Sequence, residues 1–232
     1  MPELFLEIGA EEIPARFMSL ALDYLEKEIP SFLKKNRIQA SEPRVMGSPR
    51  RLVISFDEVG NQQEDIVETH FGPNVKLAYD EKGTPTKSAL GFARGKGIDP
   101  SQLTLEKTPK GEVVCARIEK TGQPTATILN NFFPILISKI PFPKKMRWGN
   151  RETPFVRPLH WVVALFGSKP LNFSYEGIPC TDISRGHRFM HSDFFKVNGM
   201  DDYLKSCEKY FLMIDPVVRK KSIVDQVTSL AN

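Results

Sequence analysis

Leu4-Phe5-Leu6-Glu7-Ile8 is apolar at every position but one. Alternate side chains of a strand point to opposite faces, so this run has no face suited to water and reads as an internal strand of a sheet. Glu7 is the exception, and it is followed closely by Glu11 and Glu12. No aspartates stand beside these acids at metal-ligand spacing. They read as structural carboxylates that pair with buried arginines such as Arg50 or Arg51 and favour a helix N-terminus through its dipole.

Periodicity organises the rest of the chain. Beyond Gly9 and the Glu11-Glu12-Ile13-Pro14 turn, Phe17, Leu20, Ala21, Tyr24, Leu25 and Ile29 recur at helical spacing. Pro30 is expected to kink or restart that helix, with Phe32 and Leu33 continuing the stripe. Arg44–Met46 and Leu52–Phe56 suggest two strands around Gly47-Ser48-Pro49, with Leu52, Ile54 and Phe56 facing inward. Residues 57–84 are polar and loop-like, with a strand near Ile66–Phe71. A helix over Thr86–Arg94 should close at Gly95 and Gly97, and a strand over Glu112–Ile118 should follow a Lys110-Gly111 turn.

Thr125–Ile140 has helical periodicity interrupted at Pro134. Residues 141–160 carry Pro141, Pro143, Pro154 and Pro158 and read as an extended, stiff surface segment. Trp161–Phe166 and Leu171–Tyr175 suggest a hairpin, and Phe194–Val197 and Tyr210–Ile214 short strands. Asp215-Pro216 is a strong helix start, a capping carboxylate with proline at the first helical position. The following stripe of Val217, Ile223, Val224, Val227 and Leu230 has no stop signal. The expected class is α+β: a mixed, largely antiparallel sheet with packed helices. Residues 1–214 are expected to form the domain, with room for a sub-module boundary in 57–84. Residues 215–232 are expected to begin a helix leading into a further domain.

Hydrophobic residues at 41% and charged ones at 26% suit a soluble globular protein. No apolar run approaches the roughly 18 residues that span a bilayer. Early acids and the lack of a small-residue cleavage site argue against a signal peptide. Cys115, Cys180 and Cys207 are scattered and odd in number, which suits reduced thiols; a cytoplasmic protein without membrane contact is expected.

The chemistry concentrates in three blocks: Lys144-Lys145-Met146-Arg147-Trp148-Gly149, Phe155-Val156-Arg157-Pro158-Leu159-His160-Trp161, and Arg185-Gly186-His187-Arg188-Phe189. From 139 to 160 the bases Lys139, Lys144, Lys145, Arg147, Arg151 and Arg157 face one acid, Glu152, a local excess of +5 within a chain of net charge +4. Guanidinium forks phosphate, while indole and imidazole stack on bases. Lys144, Lys145, Arg147, Trp148, Arg157, Arg185, His187 and Arg188 are therefore the candidate RNA-contacting residues, against the alternative of internal Arg–carboxylate networks. Trp161 leads an apolar run and reads as core.

Other motifs fail on spacing or chemistry. Gly91-Phe92-Ala93-Arg94-Gly95-Lys96-Gly97 has too few residues between its glycines for a phosphate loop, and it reads as a glycine-closed helix end. His187 and His191 are four apart, but Arg188 stands where a metalloprotease needs glutamate, and Arg185 and Arg188 repel a cation. Ser48 lies in no nucleophile elbow. No catalytic set and no metal site are expected.

The same blocks carry a family resemblance. With Phe5-Leu6-Glu7-Ile8-Gly9-Ala10-Glu11-Glu12-Ile13-Pro14, Ser48-Pro49-Arg50-Arg51-Leu52 and Gly72-Pro73 they make six in order, and together they resemble the N-terminal part of the beta subunit of bacterial heterotetrameric glycyl-tRNA synthetase. The resemblance implies a role in ATP-dependent attachment of glycine to tRNA, as a non-catalytic part that binds and orients tRNA; the alternative is a purely structural or interaction module. It implies glycine tRNA and an alpha subunit as partners, in a heterotetramer of two alpha and two beta chains, with no DNA. It places ATP and magnesium at the alpha subunit, with no cofactor in this chain and no activity in the isolated chain. The fold it implies is similar to the editing module of the phenylalanyl-tRNA synthetase beta chain.

Overall fold

The computed structural model describes residues 1–109 and 111–231; Lys110, part of the expected turn, lies outside them. The first half holds β1 (Leu4–Ala10), α1 (Ala15–Lys35), β2 (Pro43–Ser48), β3 (Arg51–Phe56), β4 (Ile66–Asn74), α2 (Val75–Ala78), α3 (Lys87–Lys96), a 3₁₀ turn at Pro100–Gln102, β5 (Thr104–Thr108) and β6 (Gly111–Lys120). Then come α4 (Thr125–Lys139), β7 (Leu159–Phe166), β8 (Lys169–Pro170), β9 (Ser174–Tyr175), β10 (Ile178–Thr181), β11 (Ile183–Arg185), β12 (Phe194–Lys196), α5 (Met200–Lys209) and α6 (Pro216–Ala231). These elements form two compact units, one of residues 1–63 with the chain from 123 onward, the other of residues 64–122.

In the larger unit the strand order is β2-β3-β1-β7-β10-β9, with β8 folded back on β7. Strand β1 is antiparallel to both neighbours, so Leu6 faces Ile54 on one side and Ala164 on the other. Only β10 runs parallel to β7. The class is α+β with a mixed, largely antiparallel sheet. Every residue of β1 is buried, as expected of an internal strand, and every residue of β3 is buried too, where alternation suggests one buried face. Leu6, Ile8, Ile54 and Phe56 pack on one face with Leu25, Ile29 and Leu33 of α1 and Leu129 and Phe133 of α4. On the other face Phe5, Val53, Trp161 and Val163 pack with Met200, Tyr203 and Cys207 of α5.

Glu7 points into that second face. Its Oε1 lies 3.2 Å from Arg51 Nη1, out of line for a hydrogen bond, and accepts one from the Tyr203 hydroxyl at 3.0 Å. Burial, and then the Glu7 charge, push the Tyr203 hydroxyl well above the ordinary phenol range, so it stays a donor. Burial works against the Arg51 charge, but Tyr203 and Glu7 outweigh it and raise its guanidinium above the usual value.

Several expectations change. Helix α1 runs unbroken through Pro30, because Leu25, Ile29 and Leu33 bury one continuous stripe on both sides of it; Leu20, expected on that stripe, is exposed. Helix α4 likewise runs through Pro134. The proline-rich segment 141–160 is not purely superficial, since Phe142, Phe155, Val156 and Leu159 plug into the core. The second hairpin arm is shorter than expected: β8 is two residues long, and Ser174-Tyr175 pairs with β10.

Residues 210–214 form no strand. They follow α5, which the sequence reading missed, although Met200, Tyr203 and Cys207 bury at spacings of three and four. The amide of Leu212 donates to Cys207 O (2.8 Å) and that of Phe211 to Glu208 O (3.2 Å), a Schellman stop. Phe211 takes its left-handed position (φ 58°) where glycine is usual, at a cost of roughly 1–2 kcal/mol.

In the smaller unit β4, β6 and β5 form an antiparallel sheet around a small core of Ala78, Ala89 and Val114. Gly97 (φ 70°) closes α3 in the left-handed conformation, so the glycine-rich run is a helix end. The three cysteines are unpaired, and burial pushes their thiols up to about 11 for Cys115 and Cys180 and about 12 for Cys207. No helix among the described residues is long and apolar enough to cross a membrane.

Two stability predictions follow from the sheet. Ile54→Ala leaves a cavity in the α1 face and should cost about 2–5 kcal/mol in chemical denaturation. Tyr203→Phe removes only the hydroxyl from buried Glu7 and should cost about 1.5–3 kcal/mol; a loss within error of zero would show that Glu7 needs no donor from α5.

Candidate nucleic-acid interface

Trp161 organises this corner of the larger unit. It sits opposite Gly9 in the β1–β7 register, and any Cβ at Gly9 would fall inside the indole ring. The missing side chain lets the indole lie against β1, and three guanidiniums gather on the ring: Arg185 at 5.2 Å, Arg51 at 5.3 Å and Arg50 at 5.9 Å from a ring centroid. Arg185 also lies 5.2 Å from the Phe194 ring.

Carboxylates thread between them. Glu11 pairs with Arg188 (2.9 Å), His160 Nε2 (2.9 Å) and Arg50 (3.5 Å). Burial works against its charge, but Arg50, Arg188 and His160 together hold it below the usual carboxylate value. Burial lowers Arg50 from the ordinary guanidinium value, and the like charges of Arg188, Arg51 and Arg185 add to this against the pull of Glu11. The pairing expected for the early acids is present: Glu7 with Arg51, Glu11 with Arg50. Arg185 and Arg219 have no carboxylate partner among the described residues. Arg219 instead donates to the carbonyls of Met213 (2.7 Å) and Gly47 (3.0 Å).

A cavity of about 460 Å³ opens here, between the Ser48–Arg51 turn, the Gly186–Phe189 turn and the chain from Phe211 to Met213, with Arg219 at its side. His187 Nδ1 accepts the amides of Met190 (3.1 Å) and Phe189 (3.3 Å). That leaves the ring proton on Nε2 and fixes the turn that carries Phe189. Gly186 permits the turn, since a Cβ there would collide with the His191 carbonyl.

Four of the six sequence blocks therefore meet here, and with them Arg157, whose Nε donates to Glu12 O at 3.0 Å. The Lys144–Gly149 block is held elsewhere. Met146 pairs with Phe155, and the Trp148 indole donates to Phe155 O at 3.0 Å. Lys145 donates to Ser138 O at 3.1 Å and burial lowers its ammonium, while Lys144 and Arg147 stand exposed. None of the described contacts joins this block to Arg185, His187 or Arg188.

Sequence reasoning passed over Arg219 and Phe211. Arg219 opens the run Arg219-Lys220-Lys221 on the expected helix and Phe211 lies in an expected strand, and only the turn from α5 into α6 carries them to the cavity. Trp161 is core, as expected, and is also the platform for the arginines. Among the described residues no group of three or more His, Cys, Asp or Glu side chains is arranged to hold a metal ion.

The family itself comes from comparison with known sequences. The family model described as glycyl-tRNA synthetase beta subunit matches residues 4–232. A glycine–tRNA ligase beta subunit from Geotalea uraniireducens is 44% identical over 99% of this chain and 33% of its own length. Those from Geobacter metallireducens (42%, over 100% of this chain and 34% of its own) and Syntrophus aciditrophicus (39%, over 99% and 33%) are similar. The chain spans about a third of the length of these relatives. It belongs to the glycyl-tRNA synthetase beta subunit family.

Proposed function

We propose that this chain is a non-catalytic, tRNA-facing part of a glycine–tRNA ligase beta subunit, supporting ATP-dependent attachment of glycine to tRNA by binding and orienting the tRNA. The observation that carries this is the corner around Trp161, where five guanidiniums (Arg50, Arg51, Arg185, Arg188, Arg219) gather and two of them lack a carboxylate. Exposed Lys144 and Arg147 extend the cationic surface of the chain. In this reading ATP and magnesium act at an alpha subunit, in a cytoplasmic assembly of two alpha and two beta chains. The larger unit corresponds to an editing-module-like fold, like that of the phenylalanyl-tRNA synthetase beta chain. An editing role is not part of the proposal, because glycine is the smallest amino acid and a tight activation pocket already excludes larger ones.

A second reading has observations of its own. Arg188 is spent on Glu11, Arg157 on the Glu12 carbonyl and Trp148 on the Phe155 carbonyl, as expected of a structural module whose arginines staple its own loops.

Two measurements test the proposal. The purified chain should show no glycine-dependent ATP–pyrophosphate exchange above blank; robust exchange without an alpha subunit would overturn the non-catalytic role. In the complete enzyme, Lys144→Gln with Arg147→Gln should weaken binding of any tRNA and reduce the salt slope by up to ~2, since each lost phosphate contact releases about one fewer counterion. Arg185→Lys keeps the charge but loses the planar fork, and should weaken tRNA binding further. If the pair leaves affinity and salt slope unchanged while Arg185→Lys lowers only thermal stability, the stapling reading holds instead.

A further inference from the structure

The cavity beside Trp161 has two kinds of wall. Four arginines line it, Arg50, Arg51, Arg188 and Arg219, against a single lining carboxylate, Glu12. Arg219 is the telling one. It has no carboxylate partner among the described residues and donates to the carbonyls of Met213 and Gly47. A guanidinium that lines a cavity without a carboxylate keeps its charge for an anion entering that cavity. The remaining wall is apolar and largely aromatic: Phe189, Phe211, Leu212 and Met213. Phe189 is 83% exposed and Phe211 53%. Arg188 lies 5.5 Å from the Phe189 ring and the His191 ring 6.3 Å from that of Phe211.

Phe211 adds an independent observation. It holds the left-handed stop of α5, which glycine fills without steric conflict, and still presents a phenyl ring to the cavity. Backbone strain kept at such a place points to use of the side chain. The volume sets the size of the occupant: a duplex cannot enter about 460 Å³, whereas one phosphate with its sugar and base can.

We infer that this cavity binds a single unpaired nucleotide of RNA, with its phosphate on Arg219 beside Arg188 and its base against Phe211 and Phe189. The inference rests on the tRNA-facing reading and names the element of RNA that this corner takes. A free mononucleotide has the same chemistry, so the experiment separates the two sources.

The 232-residue chain is titrated with a fluorescent, 5′-phosphorylated single-stranded RNA pentamer, with adenosine monophosphate and adenosine as competitors. The pentamer should bind, the monophosphate should displace it, and adenosine should compete at least about tenfold more weakly because it lacks the charge. Phe211→Gly should lower pentamer affinity by about tenfold, the size of one lost base–aromatic stack, while the melting temperature stays the same or rises. Phe211→Tyr should restore affinity. Wild-type affinity in Phe211→Gly, or adenosine competing as well as its monophosphate, overturns the inference. Binding of the monophosphate without the pentamer overturns the RNA assignment in favour of a free nucleotide. If tRNA binding by the complete enzyme keeps the salt dependence described above while the chain ignores both probes, only this inference fails; if tRNA binding is also insensitive to the surface cations, the broader reading fails with it.

Discussion

The buried Glu7–Arg51–Tyr203 contact is the constraint on which the larger unit turns. A carboxylate in the middle strand of a sheet is tolerated only if a cation and a donor reach it, since an isolated buried charge costs several kcal/mol even after relaxation. Arg51 comes from the neighbouring strand and Tyr203 from α5. The acid therefore fixes both the β1–β3 register and the seat of α5 on the sheet. Had position 7 been leucine, the second face would still be apolar, but nothing in it would say where along the sheet α5 belongs.

The same arginine ties the core to the surface. Arg51 reaches Glu7 on one side, Trp161 on another, and the cavity on a third. Arg50 next to it turns to Glu11 instead, which also holds Arg188 and His160. Two adjacent arginines thus share their work: one anchors the sheet, the other the loops that ring the cavity. The charge at this corner is held by pairing and stacking rather than by solvent, so its geometry is set before any ligand arrives.

How much of this was legible in sequence depends on range. The internal strand β1, the pairing of the early acids with Arg50 and Arg51, and the glycine-closed end of α3 all follow from pattern and charge. The prolines misled, because Pro30 and Pro134 predict breaks that a continuous buried stripe overrides. Helix α5 was missed because its buried set is only Met200, Tyr203 and Cys207, scattered among polar residues. The candidate site was half visible: Arg185, His187 and Arg188 announce themselves as a block. Arg219 and Phe211 do not, since nothing in a short basic run on a helix or a phenylalanine after a lysine-tyrosine pair tells of a left-handed turn or a cavity. The Lys144–Gly149 and Arg185–Phe189 blocks look alike in composition but are built into different supports, a distinction that only packing reveals.

The topology of the central strand has a consequence for synthesis. β1 pairs with β3, complete by Phe56, but its other edge waits for β7, where Leu4 meets Phe166. The 110 residues from 56 to 166 take roughly 5–22 s to emerge at bacterial-to-eukaryotic elongation rates of about 5–20 residues per second. During that interval the nascent β2–β3–β1 ribbon carries apolar side chains on both faces and an unpaired edge at β1, while residues 64–122 have time to complete their own small sheet. A chain so ordered is most exposed to misassociation in mid-translation, and the segment that interrupts the larger unit finishes before the sheet it interrupts.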